Sequence, residues 1–253
     1  MPHEVTPLDI RSLIADKYAG DVHADIAEDR VRLAAGEPLA YVIGWVPFLS
    51  LHIHLDSRPL IPRPETEWWT EMLIAHLEEG FGDGHFTFLD LCAGSGAIGL
   101  SILDHFPRAK VYFSEFEKQH LSLIEKNIAQ NDLDASRAVL LCGNVFEPLK
   151  DESVFFDVIA SNPPYIPSGR TLDASVAAFE PAVALFGGED GLSVIRTIAD
   201  EASYFIKPGG ELWLECDTTH AREVAELLTR GDAKEVEIRT DQYGRERIGI
   251  GYY

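Results

Sequence analysis

The stretch DVIASNPPYIPSG, Asp157 to Gly169, ends a hydrophobic run with an amide side chain, two prolines and an aromatic ring. Neither proline has an N–H to give to a strand ladder, so a strand must stop near Ser161 and a rigid turn begin. Asn162, Pro163, Pro164 and Tyr165 then form a set suited to a planar NH₂ group. The nitrogen of a carboxamide, or of an exocyclic base amine, is a poor nucleophile because its lone pair is delocalised. The Asn162 side-chain oxygen and the Pro163 carbonyl can each accept one of its N–H groups. That aligns the nitrogen and favours a pyramidal geometry in the transition state. Tyr165 offers a face for the planar group. No strong base is needed if the proton leaves after the nitrogen has reacted. The bland alternative is a strand end followed by an inert Pro-Pro turn.

A second constellation lies upstream, in LDLCAGSGAIGLSIL. Gly94 to Gly99 satisfies G-x-G-x-x-G between a strand and a helix, and Glu115 follows 21 positions after Gly94. This order suits a dinucleotide or S-adenosylmethionine (SAM). Asp90, four residues before Gly94, separates the two. Its carboxylate would face a pyrophosphate seated on the helix N-terminus, whereas it would welcome the ammonium and sulfonium of SAM. The glycines then let the backbone approach the cofactor, and Glu115 accepts hydrogen bonds from both ribose hydroxyls. A nicotinamide-dependent enzyme and a tight turn without any ligand are the rival readings.

These residues need strands to carry them. From Phe86 onward strands alternate with helices: FTFLDL, KVYFSE, AVLLCG, FFDVIASN and GELWLECD, separated by AIGLSILDHF, KQHLSLIEKNIAQN, GLSVIRTIADEASYFI and followed by AREVAELLTRG. This is the pattern of a doubly wound, mostly parallel α/β sheet. The ending EVEIRTDQYGRERIGIGYY reads as two strands that add an antiparallel edge pair, giving seven strands. Ligands of such sheets bind beyond the carboxyl ends of the strands, where the glycine loop, Glu115, the GNVF segment and Asn162 would meet.

Upstream, residues 1–40 read as a short helical region, with Gly20 and Gly36 as helix stops. Residues 41–60, around YVIGWVPFLSLHIHLD, read as a β-hairpin linker, and 61–253 as the main domain. RPLIPRPETEWW leads into a helix whose N-cap is expected at Thr66.

Composition narrows the function further. The chain has 253 residues, 46% of them hydrophobic, enough for a sizeable core. It holds 21 basic against 42 acidic residues, a net charge of −21, and no Lys/Arg cluster longer than two. That disfavours a duplex nucleic-acid partner. No segment suits a membrane span, and the N-terminus lacks a secretory pattern, so a cytoplasmic location is expected. Cys92, Cys142 and Cys216 form no CxxC and are expected as reduced core thiols. His52 and His54 alternate on a strand without further ligands, so no metal site is expected.

The chain resembles the class I SAM-dependent methyltransferases that carry an N-P-P-Y motif, and more narrowly the peptide-chain release factor glutamine methyltransferases. The resemblance rests on GEPLAYVIG at 36–44, LIPRPETE at 60–67, FLDLCAGSGAIGLSI, SNPPYIP, FEPAVALFGGEDGL at 179–192 and KPGGELWLE at 207–215. It implies a Rossmann-like domain that methylates the glutamine N5 of a Gly-Gly-Gln motif in a class 1 release factor. It further implies that Cys92, Ala93, Gly94, Ser95, Gly96 and Glu115 hold SAM, with Asn144 and Val145 near the adenine. Asn162, Pro163, Pro164 and Tyr165 would bind the glutamine amide, and Arg63, Pro64 and Glu65 would shape the mouth. A monomer acting on a protein, with no direct nucleic-acid contact, is expected. N-P-P-Y also occurs in adenine-N6 DNA and guanine-N2 rRNA methyltransferases, which supply an alternative. The family usually has Gly-Thr at Cys92-Ala93 and often Asp at Asn144, and a longer helical N-terminal part. These departures supply another alternative, a SAM-binding protein without turnover.

Overall fold

In the computed structural model the described residues are 4–253. Helices α1 (Pro7–Lys17), α2 (Ala27–Ala34) and α3 (Leu39–Ile43) pack around Leu13, Leu33 and Val42. α1 opens with a capping box: the Asp9 amide donates to the Thr6 hydroxyl (3.2 Å), and the Thr6 amide donates to the Asp9 carboxylate (2.8 Å). It closes at Gly20, at φ +83°, whose amide donates to the Ile14 carbonyl.

The hairpin is shorter than its sequence suggests. Tyr41, Val42 and Ile43 belong to α3, which starts after Pro38 and ends at Gly44 with φ +100°. Only β1 (Trp45–Phe48) and β2 (Leu51–His54) pair, antiparallel. The outer edge of β2 is closed by side chains of a helix rather than by a strand. Asn131 accepts from the His52 amide (2.9 Å) and donates back to its carbonyl (3.0 Å). Asn127 does the same for His54 and also reaches the Ser95 carbonyl (3.1 Å), tying the hairpin to the glycine loop. His52 stands edge-on to Trp45, 4.4 Å between ring centroids.

α4 (Pro64–Phe81) begins two residues before the expected start. Pro64 is pre-set for the first helical turn and lacks only an N–H that would have no helical partner there. Arg63 is therefore the N-cap, and Thr66 lies inside the helix, buried. The elements that follow are β3 (Thr87–Leu91), α5 (Ala97–His105), β4 (Lys110–Glu115), α6 (Lys118–Gln130), β5 (Ala138–Cys142) and β6 (Phe156–Ser161). After these come α7 (Ala174–Phe179), α8 (Ala182–Leu185), α9 (Ser193–Glu201), β7 (Ile206–Glu215), α10 (Ala221–Arg230), β8 (Glu235–Thr240) and β9 (Glu246–Tyr252). The two short helices α7 and α8 went unread because their runs are too short for a helical period to show.

Seven strands form one sheet in the order β5-β4-β3-β6-β7-β9-β8. The first five are parallel, and β9 pairs antiparallel with both β7 and β8. Strand residues alternate between two cores, as the pleat requires. Phe88, Phe113, Val158 and Trp213 join Trp69, Leu73, Leu100 and the hairpin's Phe48 and Ile53. Leu89, Ile159, Leu212 and Leu214 join Ile195, Ile198, Val224 and Leu228. The sheet is thus doubly wound, and its direction of growth reverses between β3 and β6. Strand ends flanking such a reversal open a crevice.

Of the three thiols expected in the core, only Cys216 is buried. Cys142 is exposed because β5 is an edge strand and the cysteine is its last residue. Cys92 is half-buried in the turn after β3.

Candidate active site

The chain leaves β3 through a turn that no ordinary residue favours. Cys92 has φ +60°, followed by Gly94 at +55° and Gly96 at +81°. A Cβ on Gly96 would lie 3.0 Å from the Ile124 side chain, whereas one on Gly94 would meet nothing within 4 Å and project into open space. The turn is held by the neighbouring strand. The Ala93 amide donates to the Ser114 carbonyl (3.1 Å), and the Gly94 amide to Glu115 Oε2 (2.8 Å). Glu115 Oε1 accepts from the Glu117 amide (2.8 Å). Each oxygen of this buried carboxylate keeps a lone pair for a ligand. Val145, after β5, also has positive φ (+50°), rare for a β-branched residue. Its carbonyl accepts from the Ser114 hydroxyl (2.6 Å).

These segments surround a cavity of about 190 Å³. Cys92, Ala93, Gly94, Ser95, Glu115, Asn144, Val145, Asn162 and Pro164 all line it, as does His120, which the sequence did not single out. Among the described residues no Lys or Arg lines it, while Glu115 and Glu117 do. His120 accepts or donates at Ser57 Oγ (2.7 Å), and burial lowers its pKa against the pull of Glu115 and Glu117. An uncharged imidazole and two carboxylates suit a cation-bearing cofactor with a vicinal diol, and would repel a pyrophosphate. The donor set therefore fits SAM rather than a dinucleotide.

Asp90 does not play the part its sequence position suggests. Its carboxylate points under α5 and accepts from the Gly99 amide (2.9 Å), and it does not line the cavity. Burial pushes its carboxyl well above the usual carboxylate range, the Gly99 N–H opposes that, and the Glu115 charge adds to it. Asp90 shapes the loop from behind. Burial, then the Glu115 charge, pushes the Cys92 thiol up to about 12, which disfavours its thiolate form.

A second cavity, of about 90 Å³, adjoins the first, and Asn162 lines both. Pro163, Tyr165, Arg63, Leu60 and Leu185 line the second. Behind Asn162 stands a relay the sequence did not reveal. Asn162 Nδ2 donates to Thr66 Oγ1 (3.0 Å), and Thr66 Oγ1 donates to Glu215 Oε2 (2.7 Å). The same oxygen accepts from Trp69 Nε1 (2.7 Å), and Glu215 Oε1 accepts from the Tyr165 hydroxyl (2.9 Å). Arg247 Nη1 donates to that hydroxyl at 3.4 Å. Burial, then the Glu215 charge, raises the Tyr165 pKa well above its ordinary value, so the ring stays protonated.

The mouth residues divide. Arg63 lines the second cavity with its guanidinium committed to Glu180 (2.6 Å), a buried residue that also accepts from the Ile61 amide (3.1 Å). That pair joins the LIPRPETE and FEPAVALF segments. Pro64 and Glu65 line neither cavity. Pro64 is turned into the start of α4, and Glu65 faces Arg245 (3.0 Å).

A doubly wound sheet with a glycine turn, a strand-end carboxylate and an Asn-Pro-Pro-Tyr turn at the reversal point defines a class I methyltransferase. Comparison with solved structures agrees on the fold. A methyltransferase from Pyrococcus furiosus superposes with TM-score 0.59 at 19% identity, covering 89% of this chain and 98% of its own. The Thermus thermophilus 16S rRNA N2 G1207 methyltransferase superposes with TM-score 0.55 at 20% identity, covering 82% of this chain and 49% of its own. Residues 66–184 match the methyltransferase small domain. The release factor glutamine methyltransferase of Lactococcus lactis is 32% identical over 97% of this chain and 88% of its own length. That of Deinococcus radiodurans is 36% identical over 92% and 81%. The chain belongs to the release factor glutamine methyltransferase family.

Proposed function

We propose that this protein transfers a methyl group from SAM to the side-chain amide nitrogen of the glutamine in the Gly-Gly-Gln motif of a class 1 release factor. The observation that carries the reading is the shared position of Asn162, which lines the larger cavity beside the glycine turn and Glu115 and the smaller one beside it. Glu115 would hold the ribose hydroxyls and the turn from Cys92 to Gly96 the amino-acid part, with Asn144 and Val145 along the adenine. When bound, SAM supplies an electrophilic methyl group on a sulfonium. The chain supplies the nucleophile's geometry. The Asn162 Oδ1 and Pro163 carbonyl accept the two amide N–H groups, Tyr165 bounds the smaller cavity, and nothing in it need act as a strong base. The substrate proton leaves to solvent after the nitrogen has bonded.

The net charge of −21 supports a protein acceptor over a nucleic-acid one. On the same reading the enzyme works as a cytoplasmic monomer; among the described residues no helix is long and apolar enough to cross a membrane. The deciding experiment is transfer of labelled methyl from SAM to a class 1 release factor, beside the same factor with the motif glutamine changed to alanine. Label on the first alone is expected. Label on both, or on neither while SAM binds, would refute the proposed acceptor.

A further inference from the structure

Asn162 can serve an amide substrate only if its oxygen, not its nitrogen, faces the smaller cavity. The two ends of a carboxamide have nearly the same shape, so packing alone does not choose between them. The protons behind Asn162 do. Trp69 Nε1 can only donate, and it donates to Glu215 Oε2. Tyr165 donates to the other oxygen and is itself approached by the Arg247 guanidinium. A carboxyl group receiving an indole N–H and two hydroxyls acts toward them only as an acceptor. Thr66 has one proton, and Glu215 takes it at 2.7 Å. What Thr66 has left is a lone pair, so Asn162 must turn its NH₂ group toward Thr66, at 3.0 Å. Its Oδ1 is then forced to the opposite side.

Resting on the reading of Asn162 as the group that holds the acceptor amide, we propose that Thr66 and Glu215 are positioning residues that set the polarity of the site. Glu215, accepting at Oε2, orients the Thr66 hydroxyl, and that hydroxyl orients Asn162 as an acceptor. The relay thereby selects substrates that present two N–H donors and rejects an isosteric carboxylate or ester, which presents none. Thr66 and Trp69 are buried on α4, and Glu215 is the last residue of β7 and is 1% exposed, so the relay is shielded from competing water.

The test compares Thr66→Val, which keeps the shape and removes the hydroxyl, with Thr66→Ser, which keeps the hydroxyl. In Thr66→Val, kcat for methylation of the release factor should fall on the order of 30-fold. KM for the factor and affinity for SAM should stay within about threefold of wild type. Thr66→Ser should recover most of the lost kcat. A purely structural role predicts no such rescue and no split between kcat and KM. Equal turnover in Thr66→Val and wild type overturns the proposal.

A second measurement does not depend on turnover. The side-chain NH₂ resonances of Asn162, assigned by their loss in Asn162→Ala, should move in Thr66→Val and return close to the wild-type position in Thr66→Ser. Resonances indifferent to Thr66→Val overturn the relay even if no acceptor is methylated. A wild-type enzyme that fails to label the factor, with resonances that do respond, overturns the proposed acceptor and leaves the relay standing.

Discussion

The two walls of the site are built by different means. The cofactor wall is mostly backbone, built on a single side chain: the amides of Gly94 and Glu117 on the Glu115 carboxylate, and a turn with three residues at positive φ. Its parts lie close in sequence, 21 residues from Gly94 to Glu115. The acceptor wall is side chain: Asn162, Thr66, Glu215, Tyr165 and the Arg63–Glu180 pair. Its hydrogen bonds join residues 96, 149, 50 and 117 positions apart. A wall of backbone tolerates many side chains so long as φ is permitted, because the amides make the contacts. A wall of side chains has fixed donor and acceptor roles, so one substitution can reverse a polarity.

The contrast predicts where mutations act. The largest effect is expected at Asn162. Asn162→Ala should lower methyl transfer by about 10³-fold or more, since the orientation of the amide and one of its two acceptors depend on that side chain. SAM affinity, measured by calorimetry, should persist. A variant retaining wild-type turnover would erase the distinction between the walls. Next comes Glu115→Ala, which should weaken SAM binding on the order of 10–100-fold through lost charge-assisted hydrogen bonds. At saturating SAM its turnover should return toward wild type. A kcat defect that saturation does not relieve would mean that Glu115 serves both walls.

The same contrast explains what could be read in advance. The sheet, its seven strands and the glycine turn were legible because their signals are local: alternation, a short glycine spacing, a strand before and after. Asn162 was legible because two prolines end its strand abruptly. Thr66 was visible only as a helix cap, since hydroxyl residues near a helix start usually are caps. The proline two positions earlier moved the helix start to Pro64, and the hydroxyl was freed for Asn162. Glu215 looked like any strand-end acid. Nothing in its neighbourhood marks the indole and two hydroxyls that fold onto it from two distant segments, α4 and the Asn-Pro-Pro-Tyr turn. Asp90 misled for the opposite reason: its position fits a cofactor contact, but its side chain turns toward the Gly99 amide.

A third prediction concerns how the acceptor wall is clamped. The Glu180 side chain is 1% exposed and Arg63 is 31% exposed. Arg63→Met would leave a buried carboxylate with only the Ile61 amide. Such an unpaired charge typically costs about 3–5 kcal/mol, and the partial exposure of Arg63 reduces that to about 2 kcal/mol. A lowered denaturation midpoint, with SAM affinity kept in the surviving folded protein, is the expected result. Restored stability in Arg63→Met combined with Glu180→Gln would assign the loss to the stranded charge. No restoration would assign it to lost packing.

The smallest expected effect lies at Cys92 and tests the cofactor wall from the side of tolerance. Cys92 stands at φ +60°, a conformation that costs a residue with a Cβ about 1–2 kcal/mol. Cys92→Gly removes that strain, but glycine loses about 0.5–1 kcal/mol more conformational freedom on folding, and the half-buried sulfur gives up its packing. The terms nearly cancel, so stability should shift by less than about 1 kcal/mol. Cys92→Val cannot relax in this way, because a branched side chain is poorly accommodated at positive φ, and it should be the less stable of the two. If the wall is backbone, SAM affinity in Cys92→Gly should match wild type within about threefold, since the Ala93 and Gly94 amides still meet Ser114 and Glu115. A larger loss of affinity would show that the thiol itself touches the cofactor. The cofactor wall would then depend on side chains beyond Glu115, as the acceptor wall does throughout.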